Sequence, residues 1–310
     1  MKNILVFIFV LVALTSCEKP VIIEIPEKPS KLVINGWVGK DSLISLRIGK
    51  SRYSLKPLDV PGNQTESYTV KNAVPVIFEN NIPIDTLVYD VSAYNYRTLR
   101  GAAFRAGRTY SVRVKAPGFT EAWAESIVPS QSEVASVQRT RNARTNSFGQ
   151  SEDEIIIRLN DPAGENNFYM VQVYSPVYSG GYSYPLSCVR TTDKDVEVLG
   201  YADPMDTENC HNGGEILMKD TYFNGSQKVL KLYAESSMLQ EMTDMNTGQI
   251  NRPYIHVLRI TEEHYKFIKS YSLYSNTNEN PFAEPVNVFS NVNNGYGVFS
   301  IFTKFTDTLR

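Results

Sequence analysis

Apolar and polar positions alternate with a period of two along most of this chain. The pattern is cleanest over Arg108–Lys115, where Tyr110, Val112 and Val114 fall on one side and Ser111, Arg113 and Lys115 on the other. A half-buried antiparallel strand requires that pattern. Comparable runs cover Lys31–Val38, Leu43–Gly49, Ala73–Glu79, Ile84–Tyr89 and Phe119–Ile127, then Glu154–Asn160, Asn167–Ser175, Glu215–Tyr222, Lys228–Ala234, Tyr254–Thr261 and Gly297–Phe305. Turn-forming pairs separate the runs, among them Pro61-Gly62, Asn80-Asn81 and Pro117-Gly118. One segment changes period. Thr261 is placed to cap a helix that opens on Glu262 and Glu263, and His264, Phe267, Ile268, Tyr271 and Tyr274 then share one face. This predicts a short helix near 261–275 whose aromatic stripe packs against a sheet.

The whole pattern predicts an all-β chain. An immunoglobulin-like β-sandwich is expected over 31–129, and Pro129-Ser130-Gln131-Ser132 marks the boundary. A larger β-rich domain, a sandwich or partly open barrel with the one helix, is expected over 130–310. Tyr110, shortly after Gly107, resembles the tyrosine corner of immunoglobulin-like domains.

The first residues break the alternation. Lys2 precedes an unbroken apolar run from Ile4 to Leu14, shorter than the roughly 20 residues that a membrane-spanning helix needs. A positive start and a short apolar run ending in small residues are the signature of a removed signal peptide, here 1–16. Leu14-Thr15-Ser16-Cys17 resembles the lipobox of bacterial lipoproteins. Cleavage before Cys17 exposes a thiol and an amine for acylation by chains such as palmitate, and each buried CH₂ then contributes about 0.8 kcal/mol to membrane binding. Residues 17–30, with Pro20, Pro26 and Pro29, read as a lipid-anchored tether. The alternative is an ordinary secretory signal followed by a chance cysteine.

Removing 1–16 takes away Lys2 and moves the formal charge from −2 to −3. Such a balance gives no reason to bind nucleic acid, which selects clustered basic residues. The densest basic run, Arg139 to Arg144, reads as a solvated linker. With Cys17 committed to lipid, Cys188 and Cys210 make an even pair suited to a disulfide in an oxidising compartment, the rival being two free buried thiols. Cys210-His211 is a poor start for a zinc site, because no spaced second pair accompanies it.

Candidate chemistry is sparse. Nucleophile-elbow, metalloprotease, Walker and dinucleotide-binding motifs do not occur. The three histidines, His211, His256 and His264, are scattered, and His256 alternates with Leu258 and Ile260 like a core residue. Asp161, Glu165, Asn166 and Asn167 offer oxygen ligands without the spacing of a calcium loop, so a hairpin turn is the simpler reading. No catalytic residue, metal or cofactor is expected. The Tyr-rich stretch 174–184 offers Tyr178, Tyr182 and Tyr184 as a contact surface for a partner or ligand. A hairpin with cross-strand tyrosine pairs explains the same residues.

The last third carries Asn280-Pro281-Phe282-Ala283-Glu284-Pro285-Val286, then Ser290-Asn291-Val292 and Asn294-Gly295-Tyr296-Gly297-Val298-Phe299. With the Leu32–Val38 strand, Tyr110–Gly118 and the lipobox, this text resembles a Bacteroidota lipoprotein family known as domain of unknown function 4249, from the signal peptide to the last strand. The resemblance implies an outer-membrane accessory of a TonB-dependent uptake system, with a small-molecule, glycan or peptide cargo and no catalytic residues to carry over. The acidic run that follows the lipid cysteine in many surface-exported lipoproteins of these bacteria is missing, since Glu18 is followed by Lys19 and Pro20. Both faces of the outer membrane therefore stay open. Glu284, Asn291 and Asn294 form a candidate structural polar cluster, and Asn294-Gly295 a turn before the last strand. Three functional classes follow: a non-catalytic binding or scaffolding lipoprotein, a surface hydrolase of polymers, and an adhesin-like surface protein.

Overall fold

The computed structural model describes residues 29–52, 68–99, 104–177, 181–199, 210–211, 215–245, 247–277, 284 and 286–310. Strands dominate. The first part of the chain contributes β1 (Leu32–Gly39), β2 (Ser45–Lys50), β3 (Val74–Glu79), β4 (Ile82–Thr86), β5 (Val88–Asp90), β6 (Asn95–Arg97), β7 (Thr109–Lys115) and β8 (Ala122–Ile127). Then come β9 (Glu133–Thr145), β10 (Ser151–Asn160), β11 (Phe168–Tyr174), β12 (Val189–Arg190), β13 (Cys210–His211), β14 (Ile216–Lys219) and β15 (Gln227–Glu235). The short pair β16 (Met242–Thr243) and β17 (Ile250–Asn251) leads to β18 (Tyr254–Ile260), the helix α1 (Glu262–Thr277) and β19 (Tyr296–Thr308). Among the described residues, no helix is long and apolar enough to cross a membrane.

The architecture is all-β and sandwich-like. An eight-stranded sheet, in the order β14-β11-β18-β19-β1-β2-β6-β5, runs behind two smaller sheets, β4-β3-β7-β8 and β13-β12-β15-β10-β9. One core lies between its β1 end and the four-stranded sheet, built from Leu32, Ile34, Leu46, Ile77, Val112 and Ile301 among others. A second lies between its β18 end and the five-stranded sheet, around Ile155, Val171, Leu230 and Val257. The long strand β19 serves both. Its residues Tyr296–Phe302 pair in parallel with Val33–Gly39 of β1, and Thr303–Thr308 pair antiparallel with Arg259–Tyr254 of β18. The sandwich expected over 31–129 is thus completed by a strand from 130–310.

Local chemistry explains the joints. Tyr110 accepts the Arg105 N–H at 3.1 Å and donates to Glu79 at 3.2 Å, which fixes the approach to β7 as a tyrosine corner does. Asn291 binds the Phe299 backbone with both ends of its amide, accepting the Phe299 N–H at 3.0 Å and donating to its carbonyl at 2.8 Å. Asn294, at φ +59°, donates to the Glu121 carbonyl at 3.2 Å. Both asparagines tie the approach to β19 onto the edge of β8. Glu284 is exposed.

Several expectations change. The Ile84–Tyr89 run is two strands, because Leu87 buries its side chain and donates its N–H to Pro75 at 2.9 Å. There the chain passes from the four-stranded to the eight-stranded sheet. The Asp161–Asn167 segment is no hairpin turn, since β10 and β11 belong to different sheets. Asp161 accepts the Tyr169 hydroxyl at 2.6 Å and the Gly225 N–H at 2.9 Å, so its oxygens organise the crossing.

The arginine run is not a solvated linker. It lies in β9, thirteen residues long and paired with β10. Arg139 binds Asp153 at 2.6 Å, while Arg144 and Arg190 both bind Glu152 at 2.7 Å. Glu152 and Asp153 are fully buried. β9 packs Val134 and Val137 on the second core, and the buried charge of Arg139 beyond them hides the rest of the strand from a hydrophobic pattern.

Helix α1 is capped as expected, with the His264 N–H donated to Thr261 Oγ1 at 3.3 Å. It covers the outer face of the eight-stranded sheet through Tyr265 and Ile268, against Phe168, Met170, Leu217, Leu258 and Ile260. The expected stripe is only half used. His264 and Ile268 are buried, whereas Tyr271 and Tyr274 remain exposed.

Candidate functional site

The helix covers only part of that outer face, and the uncovered part carries two rows of side chains across the strands. Strand alternation turns Val171 and Val173 inward, so Gln172 and Tyr174 face out. On β18 the same rule turns Ile255 and Val257 inward and sets Tyr254 and His256 outward. The register places Tyr174 opposite Tyr254 and Tyr254 opposite Thr308, an aromatic row. It also places Gln172 opposite His256 and His256 opposite Thr306, a polar row.

Contacts hold the rows in place. The Tyr174 and Tyr254 rings stack with centroids 4.9 Å apart and planes within 6°, and His256 leans on both at about 5 Å. Thr306 Oγ1 and His256 Nδ1 are hydrogen-bonded at 2.9 Å. The Tyr174 hydroxyl donates to Gln172 at 3.2 Å, and Ser183 is hydrogen-bonded to the Tyr254 hydroxyl. Burial holds His256 well below the usual histidine range, at about 4, with help from Lys304. Burial pushes the Glu215 carboxyl up. Burial likewise raises the Tyr174 hydroxyl, assisted by Tyr254 and Glu215, which puts Glu215 within electrostatic reach of the row.

The tyrosine stretch returns along β11 beside these rows. The Ser175 N–H donates to the Tyr184 carbonyl at 3.0 Å and the Leu186 N–H to Val173 at 2.8 Å. Tyr182 and Tyr184 stand 67% and 59% exposed. Tyr178 lies outside the described residues, as does Cys17. Tyr174 itself stacks on Tyr254 of β18. Next to the rows a cleft of about 400 Å³ opens, lined by Ile250, Asn251, Arg252, Tyr254, Thr306 and Thr308 among others. Asn251 donates to the Val177 carbonyl at 2.9 Å, joining the β16–β17 hairpin to the start of the tyrosine stretch.

Tyr254, Gln172, Asn251 and Thr306 were not legible as site residues. Tyr254 alternates with Leu258 and Ile260 as a core residue would, and Gln172 and Thr306 lie on other strands that only the register brings beside β18.

Two other places bear on function. A larger cleft of about 640 Å³ sits where the two sandwiches meet, with Ser126, Ser130, Glu165, Arg259 and Glu262 in its wall. Its buried Arg259 is bound to Ser130, Asn167 and, at 2.6 Å, Glu165. That guanidinium fastens the connector to the β10–β11 crossing. Cys188 and Cys210 are joined by a disulfide with Cα atoms 5.2 Å apart, at the β12–β13 edge of the five-stranded sheet. Among the described residues, no group of three or more His, Cys, Asp or Glu is placed to hold a metal ion.

The model of a family described as "Domain of unknown function (DUF4249)" matches residues 18–308. No curated protein matches the chain. Among solved structures, the "Biofilm associated protein - BSP domain" is similar at 8% identity and a TM-score of 0.18, over 95% of this chain and 62% of that one. The chain thus spans less than two thirds of that structure's length.

Proposed function

With the chain a member of the DUF4249 family, we propose that it is a lipid-anchored outer-membrane lipoprotein of Bacteroidota that acts by binding. In this reading it serves a TonB-dependent uptake system as a non-catalytic accessory. The observation that carries the reading is the open aromatic face, where Tyr174 stacks on Tyr254 while Tyr182 and Tyr184 stand in solvent beside it. Tyrosines supply large contact area with few rotatable bonds and a polar tip, and they are enriched among residues that dominate binding energy. The short apolar run ending in Leu14-Thr15-Ser16-Cys17 supports an anchor at Cys17, and the Pro-containing 17–30 segment supports a tether that lets the β body reach a partner.

The anchor and the contact are tested separately. Cys17→Ser moves the protein from the membrane fraction to the soluble fraction; retention on the membrane overturns the anchor. Changing Tyr178, Tyr182 and Tyr184 together to Ala lowers recovery of an importer in pull-down from membranes at least tenfold, with circular dichroism unchanged. Full recovery by a folded triple variant overturns the contact.

A further inference from the structure

We propose that the two side-chain rows and the adjoining cleft form a carbohydrate-binding site that takes the end of a neutral oligosaccharide. The inference rests on the binding reading above and names its ligand class. Three observations select a sugar. First, Tyr174 and Tyr254 present a stacked pair, each partly exposed, and Tyr254 itself lines the cleft. A pyranose ring offers one face of C–H bonds to such an aromatic wall and keeps its hydroxyls at the rim.

Second, the polar groups around that wall are of the kind that both donate and accept. Gln172, Gln249 and Asn251 carry amides, Thr306 and Thr308 carry hydroxyls, and the two threonines are exposed. A sugar hydroxyl also does both, so one ligand group pairs with any of them. Third, the charged side chain of the cleft wall is already paired. Arg252 in the cleft wall is bound to Glu241 at 3.2 Å. Lys304 and Glu215, of opposite sign, are the charges that act on His256 and Tyr174 respectively. An anionic ligand would compete with Glu241 for Arg252, whereas a neutral polyol leaves that pair intact. The cleft volume lies in the range of about 300–1,000 Å³ usual for ligand sites.

The test uses the full chain in detergent and a panel of neutral hexasaccharides (α- and β-glucan, xylan and mannan), with binding followed by calorimetry. At least one of them binds with a saturable isotherm. Tyr254→Ala weakens that affinity at least tenfold, and Thr306→Ala, at an exposed position, weakens it about threefold to tenfold with the melting temperature unchanged. Tyr222→Ala, 83% exposed at a distant turn, leaves it unaltered. Should Tyr254→Ala fail to fold, Thr306→Ala and Thr308→Ala carry the comparison. No binding across the panel by folded protein overturns the inference, as does binding that both threonine variants retain in full. Intact importer pull-down with no sugar bound removes the carbohydrate and leaves the binding reading standing. Sugar bound without any importer recovered does the reverse.

Discussion

Arg139 and Asp153 meet guanidinium to carboxylate at 2.6 Å, with 3% and 1% of their side chains exposed. Each is bound beyond the pair. Asp153 accepts the Asn142 N–H at 2.8 Å and the Ser236 hydroxyl at 2.5 Å. Arg139 donates to the Leu239 carbonyl at 2.7 Å and the Leu309 carbonyl at 3.3 Å. The pair therefore fastens β9, the turn after β15 and the end of β19 to one point. Removing one partner strands the other charge away from water, which costs about 3–5 kcal/mol. Arg139→Ala is expected to lower stability by that amount in urea unfolding. A double Arg139→Leu, Asp153→Leu change should lose distinctly less, since no orphan charge remains.

Acid should destabilise the protein in two windows. Burial lowers the folded-state pKa of all three histidines, to about 3 for His264 and about 4 for His256, and in the same direction for His211. Below the unfolded value of about 6.5 the unfolded chain takes up protons that the folded chain refuses, so stability falls as pH drops. Asp153 acts lower down. Burial alone would raise its pKa, but Ser236, Asn142 and Arg139 together outweigh burial and hold it below 3.8. Its contribution is present above that value and lost beneath it. His264 lies fully buried against Trp37, with both ring nitrogens unpaired. His264→Phe should remove about 1.5–2 kcal/mol of the loss between pH 6.5 and pH 5, read from denaturant midpoints at the two values.

The Cys188–Cys210 disulfide spans a sequence separation of 22. In the chain-entropy account a loop of that size contributes roughly 3 kcal/mol. Cys188→Ser with Cys210→Ser should lower the melting temperature accordingly. Thiol labelling of denatured, unreduced protein should find neither of these two sulfurs reactive.

Gly297 sits at φ +106° in β19, and an added Cβ would come within 2.1 Å of the Ile34 carbonyl oxygen. Its neighbour across the ladder is that same Ile34 of β1. Gly297→Ala should therefore part β19 from β1 and cost several-fold more in melting temperature than Gly118→Ala. Gly118, at φ +79°, has nothing within 4 Å of its added Cβ, so only backbone strain of about 1 kcal/mol applies there.

Legibility in the sequence followed the chemistry that builds each element. Strands whose inward residues are apolar, such as Thr109–Lys115 and Tyr254–Ile260, stood out by alternation. Glu133–Thr145 did not, because only Val134 and Val137 pack apolar groups on the core, and the buried Arg139 beyond them is matched to Asp153 of β10. The helix was visible from Thr261 and its following acids. How far it reaches across the sheet depends on contacts with Phe168, Leu217 and Leu258, distant in sequence, and that reach decides which tyrosines stay open. The exposed Tyr182 and Tyr184 were readable as a contact surface. Their platform on Tyr174 and Tyr254 needed the strand register, which no local pattern encodes.

The parallel seam between β1 and β19 also orders events in time. A parallel partner cannot come from a tight turn, and here nearly the whole chain separates the two strands. During synthesis β1 has β2 on one side and an open edge on the other until the last segment emerges. Contacts this distant in sequence are slow to form, because the intervening chain must first be ordered. Neither core can close early, since Phe299 and Ile301 belong to the first and Leu309 to the second. A chain cut before Tyr296 is thus left with two unfinished halves, and not with one intact sandwich beside a damaged one.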